Sequence, residues 1–356
     1  MTLKRCRRCI FPETVPGISF DEKGVCCFCR DYRRIEYQGE DKLLEKIRAS
    51  TRKFSRYQCV VPLSGGRDST FVLYLAKARY NLKTLAVNYD NEFRDEQALL
   101  NMKNAANALG VDFVSIKSRT NLARKIVRYH LKSAQAKGPE RILGFCVACE
   151  YGYKAVSYRT AIANDVPLIL WGSSRIEKTT HLTQNRLSQG YFRELLRRFD
   201  ITEANNLRSL FYQYRQRLEF PVGGNFVRRL LLKPPHVHDR ALREIRLYDY
   251  VPWDRQRIED TIMSELGWRK PDHSLTSWRI DCKLKGLVDL SFMNIFGCSK
   301  YCFGVHNMIN EGQVSREEAL EVEERMAAQA RAGLARVFAE DVGLSEKEIN
   351  RLALFG

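Results

Sequence analysis

The sequence predicts an α/β protein: a parallel sheet covered by helices on both faces, preceded by a small cysteine-held module and followed by a mainly helical region. Three observations carry this. A short apolar run rich in β-branched residues, Cys59-Val60-Val61-Pro62-Leu63, enters Ser64-Gly65-Gly66-Arg67-Asp68-Ser69, and a helical pattern through Phe71, Val72, Leu75 and Ala78 follows. Strand-like and helix-like segments then alternate to Trp171, the order of a parallel sheet. Ahead of them lie two C-x-x-C pairs in a stretch short of aliphatic residues.

Taken in order, the first 35 or so residues are rich in Cys, Gly, Pro and charge, which suits a small appendage held by metal rather than by a core. Leu43, Leu44 and Ile47 space an amphipathic helix over 41–50. After the strand and glycine loop, a second strand is expected at 84–88, a helix over 92–109, a third strand at 112–116 and a helix from Asn121. A helix over 149–164 and a strand at 167–171 close the alternation. From His181 to Tyr248 the pattern reads as helical and basic, broken by Pro221-Val222-Gly223-Gly224 and Lys233-Pro234-Pro235. Near the end, Ser315-Arg316-Glu317-Glu318 forms a capping box before Ala319, Leu320 and Val322.

The 356 residues suffice for one large or two ordinary domains, with 44% hydrophobic and 28% charged residues, a globular composition. No apolar stretch is long enough to cross a bilayer, and Lys4, Arg5, Arg7 and Arg8 are not followed by an apolar core, so a cytoplasmic protein is expected. In that setting eleven cysteines read as metal, cluster or reactive thiols rather than disulfides. The net charge of +17, concentrated between Arg186 and Arg246, suits polyanions such as RNA, nucleotides or nucleotide-linked sugars; a solvated basic face is the plainer alternative.

The glycine loop lacks the G-x-x-x-x-G-K-[ST] order, which disfavours an ordinary P-loop ATPase. Paired glycines let backbone N–H groups approach an anion, and a following helix adds its positive end. Ser64-Gly65-Gly66-Arg67-Asp68-Ser69 resembles the S-G-G-x-D-S signature of the PP-loop (HUP) superfamily of ATP pyrophosphatases, which implies a Rossmann-like sheet and cleavage of ATP to AMP and pyrophosphate. The resemblance implies hydroxyl donation by Ser64 and Ser69 and a phosphate and magnesium (Mg2+) role for Asp68, and leaves Arg67 at a variable position. It implies that Asn88 to Asp90 lie near adenine and ribose. Trp171-Gly172-Ser173-Ser174 should line the opposite side, with Arg175 and Lys178 as weaker phosphate candidates.

Cys6-x-x-Cys9 and Cys26-x-x-Cys29, sixteen residues apart, fit a four-thiolate structural zinc (Zn2+) site of the zinc-ribbon kind, with Cys27 as a spare. Cys146-Val147-Ala148-Cys149 leaves two readings open. One is an iron–sulfur cluster ([4Fe-4S]) or persulfide site completed by Cys282, Cys298 or Cys302, as in PP-loop sulfurtransferases; the other is a second zinc site or plain buried thiols.

Together, Cys6-x-x-Cys9 with Pro12 and Pro16-Gly17-Ile18-Ser19-Phe20-Asp21, Gly24-Val25-Cys26, the glycine loop, the internal C-x-x-C, Pro167-Leu168-Ile169-Leu170-Trp171-Gly172 and Tyr250-Val251-Pro252-Trp253-Asp254 resemble the N-acetyl sugar amidotransferase family of surface-polysaccharide pathways. That resemblance implies adenylylation of the acetamido oxygen of a nucleotide- or lipid-linked sugar, then its replacement by ammonia from a separate glutaminase subunit. Composition and periodicity divide the chain into a metal module (1–40), an ATP-binding unit (41–180), a basic substrate element (181–250) and a helical C-terminal region (251–356). Where that family is expected to carry F-G-F-G, this chain has Phe296-Gly297-Cys298-Ser299-Lys300-Tyr301-Cys302-Phe303-Gly304. The added cysteines keep open a sulfurtransferase acting on RNA or a small molecule. A zinc-containing nucleic-acid-binding protein is the third reading, without a recognised motif to support it.

Overall fold

A computed structural model describes residues 3–51, 56–117, 121, 123–125, 127, 128, 131, 146–177 and 242–337. Five strands form one parallel sheet: β1 (Cys59–Pro62), β2 (Thr84–Asp90), β3 (Asp112–Lys117), β4 (Leu168–Trp171) and β5 (Arg243–Arg246). Their order is β3-β2-β1-β4-β5, so chain direction across the sheet reverses between β1 and β4. The strands alternate in what they bury. Cys59, Val61, Leu168 and Leu170 face the main core, while Val60, Ile169 and Trp171 face a second cluster with Val156 and Ala161.

The helices among the described residues are α1 (Cys27–Arg30), α2 (Glu40–Ser50), α3 (Arg67–Tyr74), α4 (Glu96–Leu109), α5 (Cys146–Ala163), α6 (Arg255–Leu266), α7 (Lys285–Phe296), α8 (Lys300–Asn310) and α9 (Arg316–Val337). Helix α3 continues through a π-turn over Leu75–Arg79, where Arg79 forks onto Glu40 of α2 at 2.6 Å from each nitrogen. Helices α3, α4 and α6 pack together on one face of the sheet, and α5 lies across β1, β2 and β4 on the other. The expected helix over 92–109 begins later, at Glu96, because the Asp95 carboxylate accepts from the Gln97 N–H at 2.9 Å and caps it there. At Ser315 the cap holds in part: its hydroxyl accepts from the Glu318 N–H at 3.0 Å, while the Glu318 side chain pairs with Arg255 at 2.7 Å.

Two expectations are corrected. Residues 243–246, read as the end of a basic helical stretch, form the edge strand β5; only Ile245 is buried, and the three charged neighbours keep the free edge polar. The N-terminal module is no appendage. Phe11 stacks on His306 at 4.7 Å and meets Phe303 at 5.3 Å, both on α8. The Arg316 side chain of α9 donates to the carbonyls of Cys6 and Cys9 at 3.1 Å. Module, sheet face and C-terminal helices thus share one core. The basic stretch 178–241 lies outside the described residues. No helix among the described residues is long and apolar enough to cross a membrane.

Candidate nucleotide site

The cavity opens where the strand order reverses, beyond the carboxyl ends of β1 and β4, and holds about 860 Å³. Its floor is the loop from β1 into α3. Gly65 has φ +79°, and a side chain there would collide with the Ala98 carbonyl of α4. Its own carbonyl accepts from the Trp268 indole at 3.0 Å and Asn101 at 3.3 Å, so this glycine serves the turn and the packing below it. Ser64, Gly66, Arg67, Asp68 and Ser69 line the cavity. The two serine hydroxyls lie 3.2 Å apart, and Ser69 donates to the Gly66 carbonyl at 3.1 Å, closing the loop around the first turn of α3. From the other side Gly172 comes so close that a Cβ would stand 3.1 Å from the Ser69 Cα.

Asp68 is 15% exposed. One of its oxygens, Oδ1, accepts from the Trp253 indole at 3.1 Å and from Arg67 Nε at 3.2 Å. Burial pushes its carboxyl above the usual aspartate range, against the pull of Arg67 and Trp253. Arg67 itself is 3% exposed: besides Asp68 it pairs with Glu259 at 2.9 Å and with Glu177, and it lies 4.7 Å from the centre of the Trp253 ring.

The remaining assignments divide. Gly172 and Ser173 line the cavity. Asn88 lines it too, but from within β2 rather than after it. Its amide donates to the Leu63 carbonyl at 2.8 Å and accepts from Ser115 at 3.2 Å, clasping three strands. Asp90 ends β2, accepts from the Glu92 N–H at 2.8 Å and is absent from the lining. Arg175 turns to Asp249 at 3.4 Å and the Glu36 carbonyl at 2.7 Å. Lys178 lies outside the described residues. Sequence reasoning missed Glu177, Glu259, Ser277 and Arg94, which no local motif marks. Trp253 was visible only as part of the Tyr250–Asp254 stretch.

The four N-terminal thiols converge: Cys6, Cys9, Cys26 and Cys29 are buried, with every sulfur within 4.8 Å of every other. Cys6 and Cys29 are 4.0 Å apart, Cys9 and Cys26 3.8 Å, against about 3.8 Å for the edge of a tetrahedron with metal–sulfur bonds near 2.3 Å. The N–H groups of Arg8, Cys9 and Cys26 donate to the Cys6 sulfur at 3.2–3.4 Å, as a thiolate requires. This cluster is able to hold a metal ion. His306 lies 3.8 Å from the Cys29 sulfur, and burial lowers its pKa to about 3, so it stays neutral.

Cys146 and Cys149 begin α5, and Cys149 lines the cavity. The turn after β2 brings Cys282 to them: Asn91 donates to the Cys149 sulfur at 3.5 Å, while Arg94 bridges backbone to backbone with Cys282. Burial pushes both thiols up, that of Cys282 to about 12. Arg279 reaches the Cys146 sulfur at 3.8 Å. Of the three candidates for a third thiol, Cys282 is the one on this side of the molecule, packed with Cys146 against one apolar cluster, although the three sulfurs do not lie within 4.8 Å of one another. Cys298 and Cys302 are buried elsewhere, beside each other and against Arg5 and Glu323.

A glycine loop of S-G-G-x-D-S order at the switch point of a parallel sheet defines a PP-loop superfamily nucleotide-binding unit. The family description of the queuosine biosynthesis protein QueC matches residues 58–141, which include that loop. An uncharacterized protein of Methanocaldococcus jannaschii is 27% identical over 114 residues, 31% of this chain and 41% of that protein, so the likeness spans about two fifths of the relative. Among solved structures, the U34-tRNA thiolase NcsA of Methanococcus maripaludis with its [4Fe-4S] cluster is 15% identical over 89% of this chain and 91% of its own, with a TM-score of 0.37. The NMN synthetase of Francisella tularensis is 14% identical over 82% and 93%, with a TM-score of 0.39. Neither likeness bears on chemistry.

Proposed function

We propose that this protein is an ATP-dependent, AMP-forming enzyme that adenylylates an oxygen of its acceptor and has that oxygen replaced by sulfur. The acceptor oxygen attacks the α-phosphorus of ATP, and pyrophosphate leaves with the electron pair of the broken P–O bond. Sulfur then adds to the activated carbon and AMP departs with the oxygen. Backbone N–H groups of residues 64–69 hold the leaving phosphates, and Asp68 binds the magnesium that neutralises them. The cavity volume, the closed serine loop and the close approach of Gly172 fit a nucleotide.

The observation that carries sulfur is Cys149 on the wall of the same cavity as the loop, with Cys146 at the start of the same helix and Cys282 packed with Cys146 against one apolar cluster. A cluster held there would supply sulfide-level sulfur directly to the activated carbon; a persulfide would add through its outer sulfur, a second thiol would then cleave the S–S bond to form a disulfide, and an external thiol reductant would reopen it. Arg279 stands 3.8 Å from the Cys146 sulfur, and Arg94 pulls Cys149 toward its thiolate against the larger effect of burial. With a net charge of +17, RNA is an acceptor that fits.

A second reading, N-acetyl sugar amidation with ammonia from a partner glutaminase, is favoured by Trp253. The Tyr250–Asp254 stretch that carries part of the family resemblance supplies the indole that holds Asp68. Metal analysis with an anaerobic absorption spectrum separates the two. Iron with acid-labile sulfide, lost on Cys146→Ser, is the expected result. Zinc alone, with pyrophosphate release stimulated by ammonia and an N-acetyl sugar nucleotide, would replace sulfur by nitrogen. In either reading the N-terminal four-thiol cluster is a structural zinc site.

A further inference from the structure

The cation inside the glycine loop is arranged in a way that a phosphate ligand would not be. Arg67 places Nε on Asp68 Oδ1 at 3.2 Å, Nη1 on Glu259 at 2.9 Å and on the Ser277 hydroxyl at 2.5 Å, and Nη2 on Glu177. One guanidinium thus faces three carboxylates, and a phosphate drawn to it would meet their surplus negative charge. That charge suits a divalent cation. The four partners come from four separate segments: the loop itself, the chain after β4, helix α6 and the turn before Trp278. The planar fork is what joins them, since an ammonium offers no fixed directions.

We propose that Arg67 is a positioning residue, which sets the Asp68 carboxylate for the magnesium that accompanies ATP and makes no phosphate contact of its own. Glu259 and Ser277 hold the guanidinium in the plane from which Nε reaches Oδ1, and Trp253 closes the arrangement by lying over the guanidinium while donating to the same oxygen. Helix α6 thereby acts on the nucleotide site without lining the cavity. This inference rests on the ATP reading above.

The test uses the full chain and α,β-methylene-ATP, whose α–β bridge resists cleavage, with affinity measured by calorimetry in EDTA and in magnesium. In Arg67→Lys and Arg67→Met the metal-free affinity should stay within about threefold of wild type, while the gain on adding magnesium falls about tenfold, a loss of about 1.4 kcal/mol. Manganese bound with the analogue, followed by electron paramagnetic resonance, should weaken in parallel. Glu259→Gln, at a partner 23% exposed, keeps the fold and should shift the magnesium gain in the same direction. A tenfold loss of metal-free affinity with the magnesium gain intact would make Arg67 a phosphate ligand and overturn the proposal. Wild-type protein that binds no analogue at all would instead defeat the ATP reading.

Discussion

Asp68 is the carboxylate that the proposed function assigns to magnesium, and its surroundings set its charge. Burial opposes its ionisation, whereas Arg67 and the Trp253 indole favour it; burial dominates, and the pKa is raised. The sign follows. In the folded chain the ionised form is disfavoured, so this group favours the fold at low pH, and that contribution is lost as pH rises through the raised value. Activity runs the other way, because the metal needs the carboxylate. At subsaturating magnesium, where the metal-free carboxylate must ionise before it binds, the acid limb of pyrophosphate release should therefore lie above the range of a free aspartate, near 3.9. A pH profile with its acid limb at or below that value would contradict the assignment. Asp68→Asn keeps the shape and removes the charge, and should lower turnover by at least about a hundredfold, on the order of 3 kcal/mol. The unfolding midpoint should hardly move, since Arg67 retains Glu177 and Glu259. Undiminished turnover in that variant would remove Asp68 from the chemistry.

At the scale of elements, helix α4 carries two glycine contacts of different kinds. Gly110 follows its last turn at φ +57° with nothing within 4 Å of where a Cβ would stand, so Gly110→Ala should cost only the backbone strain, about 1 kcal/mol. Gly65 has φ +79° and also abuts the Ala98 carbonyl of α4, so Gly65→Ala adds a steric conflict and should cost about 3 kcal/mol. Urea unfolding of the two variants checks this, and equal losses would show that the loop can move off α4. The contrast also marks what was legible in the sequence. The run 59–63, the glycine loop and the periodicity of α4 give strand, turn and helix, because each depends on neighbours within a few residues. The charged strand β5 was hidden, since an edge strand with one buried residue has no apolar alternation to read. Asn88 was placed after β2 for a related reason: a buried amide bonded to Leu63 and Ser115 satisfies itself through partners 25 and 27 residues away.

For the whole molecule, the least legible feature is how the metal module is built in. The cysteine spacing predicts the four-thiol cluster, but its packing on α8 and α9 joins residues some 300 positions apart, beyond any periodic pattern. From the module the chain runs to the site: the Gln38 and Gly39 N–H groups donate to the carbonyls of Asp249 and Tyr250 at 3.0 and 3.1 Å. The Tyr37 hydroxyl then accepts from the Trp253 N–H at 3.3 Å, and the Trp253 indole holds Asp68. With zinc in the four-thiol cluster, as proposed, losing it should therefore act twice. Structural zinc contributes about 10–16 kcal/mol to the folding of isolated zinc-finger peptides, comparable with the entire stability of a typical domain. Removal by a chelator, or Cys26→Ser, should accordingly lower the thermal midpoint well beyond the few degrees of a surface substitution, with loss of helix signal as α8 and α9 come free. Nucleotide affinity should fall with it, because Trp253 loses the partner that fixes its backbone. The two effects separate in Tyr37→Phe, which leaves the metal and the α8 contacts in place. It should keep the thermal midpoint within a few degrees while weakening the magnesium-dependent part of nucleotide binding by about threefold. If chelation lowers the midpoint but leaves magnesium-dependent binding unchanged at a temperature where the protein stays folded, the module stabilises the C-terminal helices alone and the path through Tyr37 and Trp253 carries nothing.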